Sequence, residues 1–523
     1  MAGSFVRRLE AAARRAPDKT ALLWDGGTLT HAELQGRARA FAERLAARGV
    51  RAGDRLAVAI PNHSAFAVAL LGGWHLGATV APLNPLLKSD ERAAILADLA
   101  PALLVESADV PADDVGPAVG AGAGAPGIDE TRSLQPATDP PCPGGAQPQR
   151  GSGRAPRGRA IPAAPAPAQA LVPAPAPALV LYTSGSTGRP KGAVLSHAAL
   201  AFANDSWAGP VMELTPGDVV LATLPLSHSF GLNGALLAPL LAGASVVLLE
   251  RFSPEAVCEA IRRYSVTVFP GVATMFRRIL ESPAVAATDL ASLRLAVSGA
   301  APCPWELAQE WRRRTGIRIV RGYGMTELFR PISYLARDTT ESPEAIGRAV
   351  PGVAVRIVDD AGRALPAGKA GELWIRTPAA MQGYLNDSEE TGEVLTPDGW
   401  FRTGDVSTIS GDGEVRIVGR KRERILRGGH SVFPQEVEAA LLTHPEVAEA
   451  AVVGVPHPTL GEEVAAFVAL RPGAGAKADE LVAYCRERLA AFKYPREVTI
   501  VASLPRSATG KILKSSLRPS WPS

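Results

Sequence analysis

The residues with the clearest chemical potential lie between Tyr182 and Gly192, where the sequence reads YTSGSTGRPKG. Glycine lets a backbone approach a ligand closely, and successive backbone N–H groups can form a concave anion-binding surface. Serine and threonine hydroxyls add hydrogen bonds, and a lysine ammonium is a mobile point charge suited to phosphate. The run therefore predicts a loop that wraps a polyphosphate. Its candidate ligands are Thr183, Ser184, Gly185, Ser186, Thr187, Gly188 and Lys191.

This loop differs from the nucleotide-binding loop that has the pattern GxxxxGK[ST] and opens a helix. Pro190 precedes the lysine and Gly192 follows it. Proline removes a backbone donor and disfavours helix at the residue before it. Apolar residues at 178–181 and 193–195 predict strands on both sides. The alternative reading, a Gly/Ser surface linker, is disfavoured because linkers rarely join two apolar strands.

Composition limits the class of protein. The chain has 523 residues, 46% hydrophobic and 20% charged, which fits a soluble globular protein of about three domains. A net charge of +3 is too small to indicate a nucleic-acid surface. The cysteines at 142, 258, 303 and 485 lack metal-binding spacing, so we expect reduced thiols in a cytoplasmic protein. The charged N-terminus does not resemble a signal sequence.

Two long uncharged stretches were candidates for membrane spans, Ser64–Leu87 and Val219–Leu249. Gly, His, Asn and Pro residues interrupt both, and neither gives the continuous apolar run of about 20 residues that a spanning helix needs. Both are predicted as buried helix plus strand. The sequence thus predicts no transmembrane segment and leaves a peripheral membrane contact open.

Helix- and strand-like segments alternate from residue 4 to residue 105, which predicts a doubly wound α/β sheet. Residues 108–178 are rich in Pro, Ala and Gly, a composition that predicts a flexible, non-catalytic segment. Order resumes at Leu179, and a hairpin turn at 411–413 belongs to a small β subdomain. Predicted elements include helices at Phe5–Arg15, Thr30–Arg48 and Asn62–Leu76 and strands at Arg55–Ile60 and Thr79–Leu83.

A charged segment, 420–424, separates this region from a compact unit of about 100 residues. The unit has predicted helices at Pro434–Leu442 and Ala478–Ala491 with strands between and after them. We therefore predict a large N-terminal domain over 1–420 and a small mobile α+β domain over 421–523.

Further motifs join the loop in a fixed order: LPLSHSFG at 224–231, GYGMTE at 322–327, WFRTGD at 400–405, GRKRE at 419–423 and GK at 510–511. Together they resemble the adenylate-forming superfamily. This superfamily includes acyl-CoA synthetases, aryl-CoA ligases, peptide-synthetase adenylation domains and luciferases. The resemblance covers nearly the whole chain and fails only over residues 108–178.

The resemblance implies that ATP and Mg²⁺ activate a carboxylic acid, which is then transferred to coenzyme A. Because the acid and ATP are both anionic, such catalysis consists mainly of positioning and charge neutralisation. The resemblance implies that Thr326 contacts the α-phosphate and that Glu327 holds Mg²⁺. Adenine is expected to contact Gly322, Tyr323 and Gly324, and both adenine and the acyl group are expected beside Gly299, Ala300 and Ala301. Asp405 and Arg420 are expected to bind the ribose. A helix cap at Thr326-Glu327 and a turn at Asp405 are the structural alternatives.

Lys511 is implied as the main catalytic residue, because a lysine in a mobile domain can neutralise charge during adenylation and leave afterwards. Arg422 occupies the pivot position, where relatives usually carry Lys or Asp. Gly428, Gly429 and His430 match the loop that enters during thioester formation. His228 matches a pocket histidine, and a satisfied core histidine is its alternative.

The substrate class is narrowed by what the chain lacks. Val219–Leu249 contains no acidic residue that could meet an amino-acid ammonium group. The apolar stretches 230–241 and 269–276 suit a hydrophobic acyl tail. We therefore expect a medium- or long-chain fatty acid, with an aryl-CoA ligase and a carrier-protein ligase as alternatives. An inactive adenylate-binding relative is the alternative of another class, motivated by residues 108–178. The oligomeric state is not indicated.

Overall fold

The computed structural model describes residues 5–111, 176–184, 190–506 and 512–517. Most of the Pro/Ala/Gly-rich segment predicted over 108–178 lies outside these ranges. The same is true of Cys142, Gly185, Ser186, Thr187, Gly188 and Lys511. The α-helices, numbered along the chain, are α1 (Phe5–Arg15), α2 (His31–Ala47), α3 (Ser64–Leu76), α4 (Ser89–Leu99), α5 (His197–Ser206), α6 (Ala238–Ala242), α7 (Pro254–Tyr264), α8 (Ala273–Glu281), α9 (Trp305–Thr315), α10 (Ser388–Val394), α11 (Pro434–Leu442) and α12 (Ala478–Arg488).

Two mostly parallel sheets confirm the predicted α/β class. The first has the order β12 (Ile319–Val320), β11 (Leu295–Ser298), β10 (Val268–Gly271), β8 (Val219–Ala222), β9 (Ser245–Leu248), β1 (Thr20–Trp24) and β2 (Gly27–Thr30). The second has the order β18 (Gly383–Tyr384), β7 (Pro190–Ser196), β6 (Pro177–Ser184), β4 (Thr79–Pro82), β3 (Arg55–Ala59) and β5 (Leu103–Glu106). One hydrophobic core contains side chains from both sheets and from α3.

A buried asparagine connects these two regions. Asn62, which follows β3, donates from Nδ2 to the carbonyls of Ala222 (3.2 Å) and Leu224 (2.9 Å) and accepts from the backbone N–H of Leu226 (2.9 Å). Buried backbone groups need such partners. Asn62 therefore fixes the segment after β8 that leads to His228.

Two antiparallel sheets follow in the chain. The three-stranded sheet contains β13 (Gly322–Met325), β14 (Phe329–Ser333) and β15 (Arg348–Ala349). The four-stranded sheet contains β16 (Ala354–Val358), β17 (Gly371–Arg376), β19 (Phe401–Ile409) and β20 (Val415–Arg420). The predicted hairpin turn at 411–413 joins β19 to β20 and is confirmed.

The small C-terminal α+β unit is also confirmed. Its sheet consists of β22 (His430–Val432), β21 (Ile425–Arg427), β24 (Gly461–Leu470), β23 (Val447–His457) and β25 (Glu497–Val501), with α11 and α12 beside it. These elements share a hydrophobic cluster of their own. The boundary at 420/421 and the mobility of the unit stay predictions.

Several element bounds differ from the sequence-based ones. The helix α3 begins at Ser64 rather than Asn62 because the His63 side chain accepts from the Ala65 N–H and caps it. The helix α12 ends at Arg488 rather than Ala491. The helix α2 begins at His31 rather than Thr30, because the Thr30 side chain accepts from the Glu33 backbone N–H and caps the helix.

No helix in the described parts of the chain has both the length and the apolar character needed to cross a membrane. The stretch Val219–Leu249 forms β8, a wide helical turn at Gly231–Leu237, α6 and β9, as predicted. Cys258, Cys303 and Cys485 are free thiols.

Candidate active site

The two strands that flank the predicted phosphate loop form an antiparallel hairpin. In the register of β6 and β7, Thr183 lies opposite Lys191 and Ser184 lies opposite Pro190. The two ends of the loop are therefore held side by side. Residues 185–189 between them lie outside the described ranges, so their contacts with phosphate stay a prediction.

Lys191 already has an anionic partner. Its ammonium forms an ion pair with the Glu390 carboxylate of α10 and lies 5.6 Å from the centroid of the Tyr384 ring. The Lys191 side chain is 12% exposed and Glu390 is 29% exposed. A phosphate that binds Lys191 therefore competes with Glu390 for the same cation.

Tyr384 links the lysine to the predicted magnesium ligand. Its hydroxyl donates to Glu327 Oε1 at 2.8 Å, and the Glu327 side chain is buried. Burial and the neighbouring Glu327 carboxylate raise the pKa of Tyr384, so the phenol stays protonated. Its position follows from β18, where Tyr384 pairs with Ala193 of β7.

Thr326 and Glu327 lie in the turn between β13 and β14 rather than at a helix cap. Met325 pairs with Phe329 across this turn, and the Glu327 carbonyl accepts from the Met381 N–H at 2.8 Å. Gly324 is required here because a Cβ would lie 2.2 Å from the Phe329 carbonyl oxygen. Gly322, Tyr323 and Gly324 are on β13.

The predicted ribose residues form a second cluster. Asp405 and Arg420 are paired across β19 and β20, with Arg420 Nε 3.3 Å from Asp405 Oδ1. The Tyr323 hydroxyl donates to Asp405 Oδ2 at 2.5 Å. Burial and the Asp405 carboxylate raise the pKa of Tyr323 well above its usual value. Burial also raises the pKa of Asp405, although Arg420 and Tyr323 act in the opposite direction.

His228 lies in the segment that Asn62 fixes. Its Nδ1 accepts from the backbone N–H of Phe230 at 3.2 Å, so Nε2 carries the proton in the neutral ring. The ring is partly exposed. The binding and catalytic roles of His228 therefore stay predictions, with a satisfied histidine as the alternative.

The predicted acyl and adenine segment follows β11. Gly299 is buried and Ala300 and Ala301 are exposed. Ala300 has a φ of +62°, a left-handed conformation that is uncommon for a residue with a side chain. A Cβ on Gly299 would lie 3.0 Å from the Phe230 ring, so the aromatic side chain closely approaches this backbone.

The C-terminal candidates are only partly described. Gly428 and Gly429, with φ of +55° and +82°, form the turn between β21 and β22. His430 stacks on Phe492 with ring centroids 4.4 Å apart. Lys511 lies outside the described residues. Lys514, three residues later in the sequence, forms ion pairs with Glu423 (3.0 Å) and Glu438 (2.7 Å).

The structure brings the candidate residues together in two groups, which both include a residue of the hairpin formed by β13 and β14. Glu327 and Lys191 meet through Tyr384, and Tyr323 meets Asp405 and Arg420. Sequence reasoning missed Tyr384, Glu390, Arg330 and Lys514. The only sequence signal for Tyr384 and Glu390 was a tyrosine three residues before the Asp387-Ser-Glu-Glu390 run, which is typical of the start of a helix.

Comparison with known proteins gives two family matches. A model described as AMP-binding enzyme matches residues 9–385, and one described as AMP-binding enzyme C-terminal domain matches residues 436–511. Among solved structures, ATP-bound MatB from Rhodopseudomonas palustris has a TM-score of 0.82 and 29% identity, covering 98% of this chain and 97% of that one.

Three similar proteins are named as CoA ligases or synthases. A feruloyl-CoA synthase from Amycolatopsis sp is 37% identical over 97% of this chain and 96% of its own. An indoleacetate–CoA ligase from Aromatoleum aromaticum is 35% identical over 96% and 95%. A long-chain-fatty-acid–CoA ligase from Yersinia pestis is 32% identical over 98% and 94%.

The first prediction concerns the ribose cluster. Asp405→Ala is expected to weaken ATP binding about ten- to hundredfold, because hydrogen bonds to a charged group contribute about 1.5–3 kcal/mol. Asp412→Ala, in the turn at the far end of the same two strands, is the control and should bind ATP normally. Calorimetric titration with ATP measures both. Unchanged affinity in a folded Asp405→Ala protein would rule out the ribose role.

The second prediction concerns the competition at Lys191. Glu390→Gln should tighten ATP binding about two- to fivefold, because a partly exposed ion pair contributes about 0.5–1 kcal/mol. Glu389 is an exposed neighbour of Glu390 in the same helix turn, so Glu389→Gln is the control and should bind ATP as the unchanged protein does. Equal or weaker ATP binding by Glu390→Gln would show that Glu390 does not compete with phosphate.

Proposed function

Because this chain belongs to the family of AMP-binding enzymes, we propose that it is a CoA ligase for a ring-bearing carboxylic acid. It is an AMP-forming acid–thiol ligase, for which ATP and CoA fit as substrates. The finer step, from any acid to an acid with a ring, rests on the aromatic residues beside Gly299 and on the similar proteins. The fatty-acid preference expected from the apolar stretches becomes the second candidate.

The observation that carries the ring preference is an aromatic wall at Gly299. Phe230 approaches this glycine and stacks on Trp207, with ring centroids 5.4 Å apart and planes inclined by 19°. Both rings are buried, with Trp207 3% and Phe230 7% exposed, and a further aromatic ring packs favourably against such a pair. The guanidinium of Arg330 lies 5.0 Å from the Trp207 ring centroid.

The names of similar proteins support the same reading. Two of the three relatives described above act on acids with an aromatic ring, and their identities of 37% and 35% exceed the 32% of the fatty-acid ligase. That fatty-acid ligase nevertheless spans 98% of this chain. This coverage is the observation that keeps a fatty acid as the second candidate substrate.

The reaction assigns simple tasks to the residues. In the first step a carboxylate oxygen attacks the α-phosphorus of ATP and pyrophosphate leaves. Lys191 and Thr326 would hold phosphate oxygens, and Asp405 with Arg420 would fix the ribose. Lys511 would neutralise charge on the carboxylate and the bridging oxygen. These are mainly contributions of position and charge.

In the second step the thiol sulfur of CoA attacks the carbonyl carbon of the acyl-adenylate. The thiol proton is lost to solvent or base, the carbon–oxygen bond to AMP breaks, and the thioester and AMP are released. Gly428, Gly429 and His430 would line the approach of the thiol. Whether a carrier-protein thiol can replace CoA is decided by turnover with each acceptor.

Glu327 is the residue that suits Mg²⁺. It is a buried carboxylate, and the described residues contain no cluster of three or more His, Cys, Asp or Glu side chains that could hold a metal alone. One carboxylate plus substrate phosphates is an ordinary arrangement for Mg²⁺. When bound, the ion would supply positive charge to the phosphates. Tyr384 orients the carboxylate by its hydrogen bond.

The proposed function is tested by pyrophosphate release with ATP, Mg²⁺ and CoA over two sets of acids. One set runs from acetate to stearate, and the other contains benzoate, cinnamate, coumarate, ferulate and indoleacetate. We expect a kcat/KM at least about tenfold higher for the best ring acid than for the best fatty acid, since each 1.4 kcal/mol of binding gives a factor of ten. A maximum among the fatty acids would select the second candidate. No release with any acid would favour an inactive adenylate-binding protein.

A variant of Lys511 separates the two steps. Lys511→Ala should lower adenylate formation by at least about a hundredfold, the usual effect of removing a group that stabilises developing charge. Thioester formation from supplied acyl-adenylate should be nearly unchanged. Lys477→Ala, at an exposed lysine of the same domain, is the matched control. Equal loss of both steps in Lys511→Ala would contradict a role confined to adenylation.

A further inference from the structure

One cation near the site, Arg330, has only neutral hydrogen-bond partners among the residues that the structure describes. The Arg330 side chain on β14 is 7% exposed. Its Nε donates to Ser333 Oγ (2.9 Å), Nη1 to the Ser298 carbonyl (2.8 Å) and Nη2 to the Val320 carbonyl (3.3 Å). All three acceptors are neutral. Within the described residues, no carboxylate comes within ion-pair distance of Arg330.

The chain makes room for this guanidinium. A Cβ on Gly322 would lie 2.4 Å from Nη2, and a Cβ on Gly299 would lie 3.2 Å from Nη1. Trp207 covers it from another side, and Phe230 stacks on Trp207. Arg330 is thus enclosed by the same residues that form the aromatic wall and the predicted acyl segment.

Such an arrangement is energetically unusual. A buried charge without a counter-charge costs several kcal/mol, and most buried arginines are therefore paired. Arginine has five N–H donors, and the three hydrogen bonds above leave donors on Nη1 and Nη2. Burial lowers the pKa of Arg330 to about 9, so the guanidinium is still a cation at neutral pH.

A second buried arginine shows the contrast. Arg321, one residue before β13, is 4% exposed and also lies over an aromatic ring, with its Cζ 4.7 Å from the Trp305 centroid. Its Nε, however, forms an ion pair with Glu341 at 3.0 Å. Arg321 is therefore neutralised within the protein, and Arg330 is not.

We propose that Arg330 is a specificity-determining residue that selects ring-bearing acids with a second, electron-rich oxygen group at the far end of the ring. The group is a carboxylate, a phenol or a ring carbonyl, and the free donors on Nη1 and Nη2 bind it. This inference rests on the proposed function, because it assumes that the acyl group binds beside Gly299. The competing explanation is that Arg330 only ties β14 to β11.

The first test uses the unchanged protein and acids of matched shape. Cinnamate, 4-hydroxycinnamate and 4-carboxycinnamate differ only at the far end of the ring. We expect kcat/KM for pyrophosphate release to be at least about tenfold higher for the oxygen-bearing acids, since a hydrogen bond to a charged group contributes about 1.5–3 kcal/mol. Similar values for all three acids would overturn the proposal.

The second test changes the residue. Arg330→Met retains length and apolar bulk, and we expect it to reduce the preference among the three acids to within about twofold while cinnamate is still activated. Arg330→Lys should keep part of the preference. Arg321→Met is the matched control, because it also removes a buried arginine but should leave the preference unchanged. A preference that survives in Arg330→Met would overturn the proposal.

Calorimetric titration with the three free acids separates this inference from the proposed function. If no acid is activated but the oxygen-bearing acids bind more tightly and lose this advantage in Arg330→Met, the inference holds and the proposed function fails. If cinnamate is activated as well as its oxygen-bearing analogues, the proposed function holds and the inference fails. Should Arg330→Met not fold, the matched acids with the unchanged protein still decide.

Discussion

The turn between β13 and β14 is the constraint on which the site depends. Within a few residues it must direct Tyr323 to the ribose cluster and bury Glu327 beside Tyr384. Its backbone is strained at Phe329, which has a φ of +57°. The close approach of the Phe329 carbonyl also leaves no room for a side chain at Gly324. The hydrogen bond from the Met381 N–H to the Glu327 carbonyl ties this turn to the segment before β18. This one short turn is therefore linked to both the hairpin of the phosphate loop and the β subdomain, and it holds the two in alignment.

Charge balance gives the site its chemical character. Lys191 is paired with Glu390, Arg420 with Asp405 and Glu423, and Lys514 with Glu423 and Glu438. These pairs keep cations in position before an anionic substrate arrives, which limits the reorganisation needed during the reaction. Arg330 departs from this rule because its partners are neutral. Under the proposal above, the oxygen group of the acid supplies the remaining hydrogen-bond partner of Arg330.

Much of the site could be predicted because its residues lie in short contiguous motifs. The GYGMTE and WFRTGD segments carry Tyr323, Glu327 and Asp405, and the strand class follows from the flanking apolar residues. Tyr384 and Glu390 could not be predicted, because their contacts with Glu327 and Lys191 depend on the pairing of β18 with β7. The role of Arg330 depends on its packing against Gly322 and against Gly299, which lies on a different strand end. The expected fatty-acid preference came from apolar composition, which does not distinguish a long channel from an aromatic slot.

The central claim is that an acyl-adenylate is formed, and the most direct measurement follows one oxygen atom. The protein would be incubated with ATP, CoA and cinnamate or ferulate labelled with ¹⁸O in the carboxylate, and the AMP would be examined by mass spectrometry. Attack of the carboxylate oxygen on the α-phosphorus predicts one ¹⁸O in the phosphate of AMP. Thioester formation with unlabelled AMP, or with ADP as product, would contradict the account.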